Sequence, residues 1–422
     1  MRRCLVLVLM VGPLVTGCTH KAAKPWETWQ PPPVAMPQPN AYDTYLKAFA
    51  LKAQIDERLG VALPYAASGE PSAIPTRLDQ WCVGPASMPL VTRVAAYQGV
   101  LTLARQALKQ KCRILDNGNT FVGPRSDFRS IEYLLAIESE VRRQRHDTLG
   151  AANSALDGLA VAQAAMTQRG LPGFLVGWAC EAMVLAPNRP LNDTVPVLTA
   201  PECRTVLSRL LQLEETRPPL TAMLAGHRVR VLTSLKTLLV DPAEQDKALA
   251  KCREQSPRAA REFRRALRGM KAASWQEFGQ FWETERQYAS LPYLRRPQPG
   301  PEPADATNFF VRNWAWPIRS PLRNDARNLA WLRQRELQLA VRAYLLEHRR
   351  LPQGLMALVP SYLPHVPADP FGEGPMKSVA TADGLAVYSI GPDGIDDGGK
   401  PVSRWVRPDE KGDMVVVIPK GS

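Results

Sequence analysis

Residues 325–350 read "DARNLAWLRQRELQLAVRAYLLEHRR". Leu329, Leu332, Leu337, Val341, Tyr344 and Leu345 recur at the three- and four-residue spacing that keeps side chains on one helical face. The run stops before Pro352, because a residue ahead of proline is driven out of the α region. The stretch therefore predicts a long amphipathic helix, with Arg333, Arg335, Arg342 and Glu347 off the apolar side. What lies on either side of it fixes the fold class.

Downstream come "LPQGLMALVPSYLPHVPADPFGEGPM", then "LAVYSI" after an Asp383-Gly384 turn, and finally "MVVVIP" at 414–419. Short β-branched runs bounded by Gly, Pro and Asp predict two or three strands after the helix, a small α+β unit at 325–422. Between two of the runs stands "YSIGPDGIDDGG", residues 388–399. Its Asp393-x-x-Asp396-Asp397 spacing does not fit an EF-hand, which needs alternate ligands and a distant glutamate. It does fit a folded-back loop that gathers hard oxygens for calcium, with Asp413 of "KGDMV" arriving from a later strand. Asp and Gly also suit an ordinary turn, and the residues alone leave both readings open.

Upstream, residues 291–324 carry seven prolines and read as a connector. Its Trp314 and Trp316 are expected to dock on a domain face, with carbohydrate stacking as the alternative. Residues 42–290 are helical in pattern, as in "AYDTYLKAFALKAQIDERLG", the 90–111 run and "TAMLAGHRVRVLTSLKTLL". No fixed repeat period is present, so a helical bundle or array is expected. The fold class is thus mainly α with a small C-terminal α+β unit. One helix is strongly basic: "SPRAAREFRRALRGMKAAS", residues 256–274. Ser256 suits the N-cap and Pro257 the first helical position. Ala259, Ala260, Phe263, Leu267 and Met270 form the apolar stripe, and Arg258, Arg261, Arg264, Arg265, Arg268 and Lys271 fill the rest. Such a face either grips anionic polymer or lipid headgroups, or is the solvated side of a bundle helix.

The order of the C-terminal pieces resembles the globular head of type II secretion major pseudopilins. The stretches that carry it are "LEHRRLPQGLMALVPSYLPHVPADPFGEGP", "AVYSIGPDGIDDGG" and "KGDMVVV". The resemblance implies a bound calcium, with Asp397 and Asp413 as leading side-chain ligands. Asp393 comes next, Asp396 turns outward, and main-chain oxygens near Ile390 complete the shell. Pseudopilins carry this head directly on a hydrophobic N-terminal helix, which this chain lacks. The head is therefore expected as a borrowed module, and secretion does not follow from the fold.

The N-terminus explains the difference. "MRRCLVLVLMVGPLVTGC" has a basic start, an apolar run too short to span a bilayer, and a Leu14-Val15-Thr16-Gly17-Cys18 sequence that resembles a bacterial lipobox. The resemblance implies a signal peptide at 1–17, acylation of Cys18, and outer-membrane retention, since Thr19 replaces the aspartate associated with the inner membrane. Residues 18–41 are then a Pro-rich linker expected to hold the body off the lipid surface, in the periplasm. "GFLVGWACEAMVLA", 173–186, is short, contains Glu181, and reads as a buried core helix.

The formal charge of +13 would fall to +11 on loss of Arg2 and Arg3. Basic excess in an envelope protein favours anionic lipid or cell-wall surfaces over nucleic acid. Beyond Cys4 and Cys18, five cysteines remain: Cys82, Cys112, Cys180, Cys203 and Cys252. Near-neighbour pairing gives Cys82–Cys112 and Cys180–Cys203, with Cys252 left over; the connectivity stays open. No H-E-x-x-H, G-x-S-x-G, S-x-x-K, P-loop or Rossmann signature occurs among the residues around His20, His146, His227, His348 and His365. The expectation is a non-enzymatic envelope lipoprotein serving as a binding or scaffold component, with a secretion-related role one option. The alternative is a hydrolase whose site is assembled from scattered residues of the helical body.

Overall fold

The helix predicted at 325–350 forms over Arg319–His348 and runs between the helical body and the C-terminal strands. The computed structural model describes residues 23–61, 87–114, 125–168, 170–296, 309–314, 319–402 and 411–420. In chain order the first helices are α1 (Pro25–Thr28), α2 (Ala41–Arg58), α3 (Leu90–Ala96), α4 (Gln98–Leu108) and α5 (Arg125–Gln144). Next come α6 (Thr148–Met166), α7 (Leu171–Leu185), α8 (Pro190–Thr194), α9 (Ala200–Thr216) and α10 (Leu220–Val240). Then follow α11 (Pro242–Gln255), α12 (Pro257–Arg268), α13 (Ala272–Ser290), α14 (Phe309–Trp314) and α15 (Arg319–His348). Strands β1 (Lys377–Ala380), β2 (Gly384–Ser389) and β3 (Met414–Pro419) form one antiparallel sheet in that order, with Lys377 facing Tyr388 and Val387 facing Val416. The described chain is mainly helical with one small sheet.

Local chemistry sets the helix starts. Asn40 accepts the N–H of Tyr42, Asp147 that of Gly150, and Ser256 that of Ala259, each meeting an orphan donor of a first turn. A capping box of Thr199 and Glu202 opens α9. The helix expected across 90–111 breaks at Tyr97 into α3 and α4. Tyr97 is buried and donates its hydroxyl to Asp56 of α2 at 2.5 Å.

The polar side of α15 departs from the expectation. Arg335 and Glu336 are both 0% exposed, and Arg342 is buried as well. The reason is the density of apolar residues around the helix: Ala330, Leu332, Leu337, Leu339, Ala340, Val341 and Ala343 point in too many directions for one partner to cover. α7 and α9 therefore pack on one side and β2 and β3 on the other, enclosing the polar residues between them. Leu337 and Val341 share one core with Val206 and Leu210 of α9, Leu385 and Val387 of β2, and Ile418 of β3. Residues 325–422 thus close their core with α6 and α9 rather than by themselves.

The Pro-rich linker also differs from a free spacer. Trp26 is 4% exposed, and Trp26 and Trp29 both meet Trp275 of α13, with ring centroids 6.2 and 6.0 Å apart. Lys236 of α10 donates to the main-chain oxygen of Trp29 at 2.6 Å. Two aromatic residues in a proline-rich stretch bury more apolar area on the body than they retain in water, and the stretch lies down. Its far end is held by Asn40, which donates to Arg113 O and accepts from Arg113 N at 2.9 and 3.0 Å.

Cys112, Cys180, Cys203 and Cys252 are free thiols. Cys180 and Cys203 belong to different cores, so they do not pair; Cys82 lies outside the described residues. The 173–186 run forms the buried α7, as expected, and no helix among the described residues is long and apolar enough to cross a membrane. Cys18, Trp316 and the side chain of Trp314 lie outside the described residues.

Candidate metal centre

The aspartate-rich loop leaves β2 at Ser389 and returns to β3 at Met414. Two buried aspartates hold its ends. Asp369, from the "ADPFG" turn, accepts Phe371 N at 2.9 Å and Ser389 Oγ at 2.6 Å through Oδ1, and Ile390 N at 2.8 Å through Oδ2. It ties the turn after α15 to the end of β2. Asp413 is 0% exposed and accepts Gly399 N at 2.6 Å and Asp397 N at 3.4 Å. The backbone around it reciprocates, with Asp413 N donating to Lys400 O and Val402 N donating to Asp413 O. Glycine is required at 399: its φ is +83°, and a Cβ there would lie 2.9 Å from Val379 Cγ1.

The four aspartates expected to gather around a cation therefore divide. Asp396 is exposed and pairs with Lys377 Nζ at 3.0 Å; its other oxygen accepts Gly398 N and the Tyr388 hydroxyl. The lysine contact, foremost, holds its carboxyl below the usual range. Asp413, expected as a leading ligand, gives its carboxylate to backbone donors of the loop, Gly399 N and Asp397 N. Burial, reinforced by the charges of Asp396 and Asp397, raises its pKa. Asp393 and Asp397 are half-buried, and each keeps one buried oxygen, Oδ2, with no hydrogen-bond partner.

Those two oxygens are what a hard cation would satisfy. Among the described residues no three His, Cys, Asp or Glu side chains converge to hold a metal. A calcium in this loop would then rest on Asp393 and Asp397, with main-chain oxygens and water supplying the rest of its shell. Sequence reasoning missed Asp369. Its signal was an Asp-Pro step whose carboxylate can accept the N–H two residues on.

The arginines of α12 lie on the outer side of the helix. Arg258 is 83% exposed and pairs with Glu262 at 2.9 Å, Arg261, Arg265 and Arg268 are exposed, and Arg264 is half-buried. Phe263 and Ala260 seal the other side against the body, with Phe263 6.3 Å from Phe310 of α14.

Burial, then the charge of Glu132, pushes the Cys180 thiol well up, so it is protonated at neutral pH. His227 stands edge-on to Trp282 at 4.6 Å, and burial, aided by Arg230, pushes its pKa down to about 4. Arg217 bridges Glu181 and Asp325, each at 2.7 Å, and Asp325 also accepts Trp178 Nε1 at 2.9 Å. That network joins α7, the end of α9 and α15. Comparison with known protein families, curated proteins and solved structures finds no match for this chain.

Proposed function

We propose that the chain is an outer-membrane lipoprotein, anchored through Cys18 with its body in the periplasm, acting as a non-enzymatic binding or scaffold component of the envelope. Its C-terminal region is a pseudopilin-like unit steadied by calcium. The lipobox supports the anchor. The observation that carries the calcium reading is the pair of buried, unpartnered oxygens on Asp393 and Asp397 in a loop between β2 and β3. Calcium would offset the repulsion between these carboxylates and Asp413 and fix a loop rich in glycine. Cys18→Ser should abolish acylation, read by labelling with a fatty-acid probe.

Calcium at a hundredfold excess over its dissociation constant should stabilise the protein by about 2.7 kcal/mol. The full chain is the right sample, because α15 and the strands share their core with the helical body. Its melting temperature should be higher in millimolar calcium than in chelator. Asp397→Asn should remove most of that difference, and Asp383→Asn in the neighbouring turn should keep it. Magnesium, which demands a smaller octahedral shell, should substitute poorly. Identical melting curves with calcium and chelator, together with no heat of calcium binding, would refute the metal site.

A further inference from the structure

We infer that α12 faces the membrane, and that the body rests its α12 side on an anionic lipid surface. The membrane assignment builds on the anchor proposed above; the lipid-binding surface itself does not need it. Between Pro257 and Lys271 the chain has six basic residues and one acidic residue, Glu262. Arg258 is the partner of Glu262. Arg261, Arg264, Arg265 and Arg268 form no ion pair among the described residues, and three of them are exposed. Arg312 of α14, beside Phe263 and Phe310, is exposed on the same part of the body. Buried Phe263 and Ala260 seat the helix on the body, so the guanidiniums are presented as an array in which Glu262 is the one carboxylate. Such an array fits a field of phosphate groups, each of which accepts two parallel guanidinium hydrogen bonds.

The occupant follows from where the N-terminal stretch is fastened. α1 is clamped on Trp275, and Trp275 lies four residues beyond Lys271 at the start of α13. Arg268 is seven residues from Trp275, the last four of them at helical rise, which keeps the two Cα atoms within about 17 Å. Lys24, stacked over Trp26, is six residues from Cys18, which a fully extended chain covers in at most about 21 Å. A compact chain of this length is about 57 Å across. A lipid on Cys18 would thus be joined by a short lead to the part of the body that carries Trp275, and the clamp removes the slack a free linker would have given. Glu244, Asp246 and Glu254 of the preceding α11 are balanced by Lys247, Lys251 and Arg253 of the same helix, and the next acidic residue after α12 is Glu277 of α13.

The test uses the chain from Thr19 to Ser422, which keeps every described residue and lacks the acylated cysteine, so failure of the anchor reading cannot mask the result. Its partition onto phosphatidylcholine vesicles with and without phosphatidylglycerol is measured by flotation. It should bind only the phosphatidylglycerol vesicles and be released by high salt. Each arginine near an anionic surface contributes about fivefold, so Arg261→Gln, Arg265→Gln and Arg268→Gln together should lower partition about 100-fold. Removing three exposed charges elsewhere, with Lys109→Gln, Lys111→Gln and Arg350→Gln, should lower it by less than about fivefold. Both triple variants should melt like the parent, which keeps the comparison free of unfolding. Equal losses in the two variants, or no preference for phosphatidylglycerol, overturn the inference. Retention by a soluble polyanion such as dextran sulfate without binding to vesicles overturns it too, since the helix would then grip polymer rather than lipid.

Discussion

α12 and α15 are both rich in arginine, and they end in opposite places. α12 exposes four of its five arginines and half-buries Arg264. α15 draws Arg335 and Arg342 inside, together with Gln334, Glu336 and Gln338. The number of charges does not separate the two helices; the width of the apolar surface does. Phe263 and Ala260 need one partner. The residues of "LQLAVRA" need partners on two sides, and what lies between them is enclosed. Enclosed polar groups then seek bonds wherever the neighbouring elements offer them. Gln334 donates to Met414 O, Arg335 to Asn192 and Gln338, and Arg333 to Glu214 at 2.7 Å and Ala368 O at 2.7 Å. Charge on α12 is free for a partner, whereas charge on α15 is structural.

The largest effect should come from the interior. Arg217→Ala leaves the buried Glu181 without its cation, with only the Asn328 amide donating to it, and leaves Asp325 of α15 with the Trp178 indole, at a cost of about 3–5 kcal/mol. Denaturant unfolding measures it, and a loss below about 1 kcal/mol would break the contrast with α12. Glu336 should behave in the opposite sense. Burial, then the neighbouring Glu214, pushes its carboxyl up to about 10. Its folded value lies above the unfolded one, near 4.3, so folding takes up a proton in the window between them. Stability from this group is complete below the lower value and drains away as pH rises towards the upper one. Glu336→Gln removes that drain. The stability of the variant should fall less steeply than that of the parent as pH rises from about 5 to about 9, as followed by thermal melts across that range. The smallest effect should come from α12, where Arg265→Ala should change stability by less than about 0.5 kcal/mol.

Much of this architecture is legible in the sequence because local rules govern it. Ser256 and Pro257 announce the start of α12, and Pro352 the end of the long helix. Periodicity found the Leu332, Leu337, Val341 stripe of α15 but could not show that the opposite side is also covered, because its partners in α9 lie more than a hundred residues away, as with Arg333 and Glu214. The only local hint was the alanine and leucine filling the positions between. The loop was legible as an Asp-Gly turn. Which aspartate serves the backbone and which keeps a bare oxygen depends on where Gly399 and Asp397 point their N–H groups, and composition does not carry that. The docking of Trp26 on Trp275 had no signal in either segment alone.

That docking also sets a clock. Trp29 and Lys236 are 207 residues apart, so at synthesis rates of about 5–20 residues per second roughly 10–40 s separate the first partner from the second. Throughout that interval the N-terminal stretch has no seat on the body and is open to whatever processes it. Once α10 and α13 have folded, the seat exists and the stretch is drawn onto it. A chain cut short before α13 would keep its N-terminus and lose the surface that orients it, so the seated tryptophans mark a molecule whose helical body is complete.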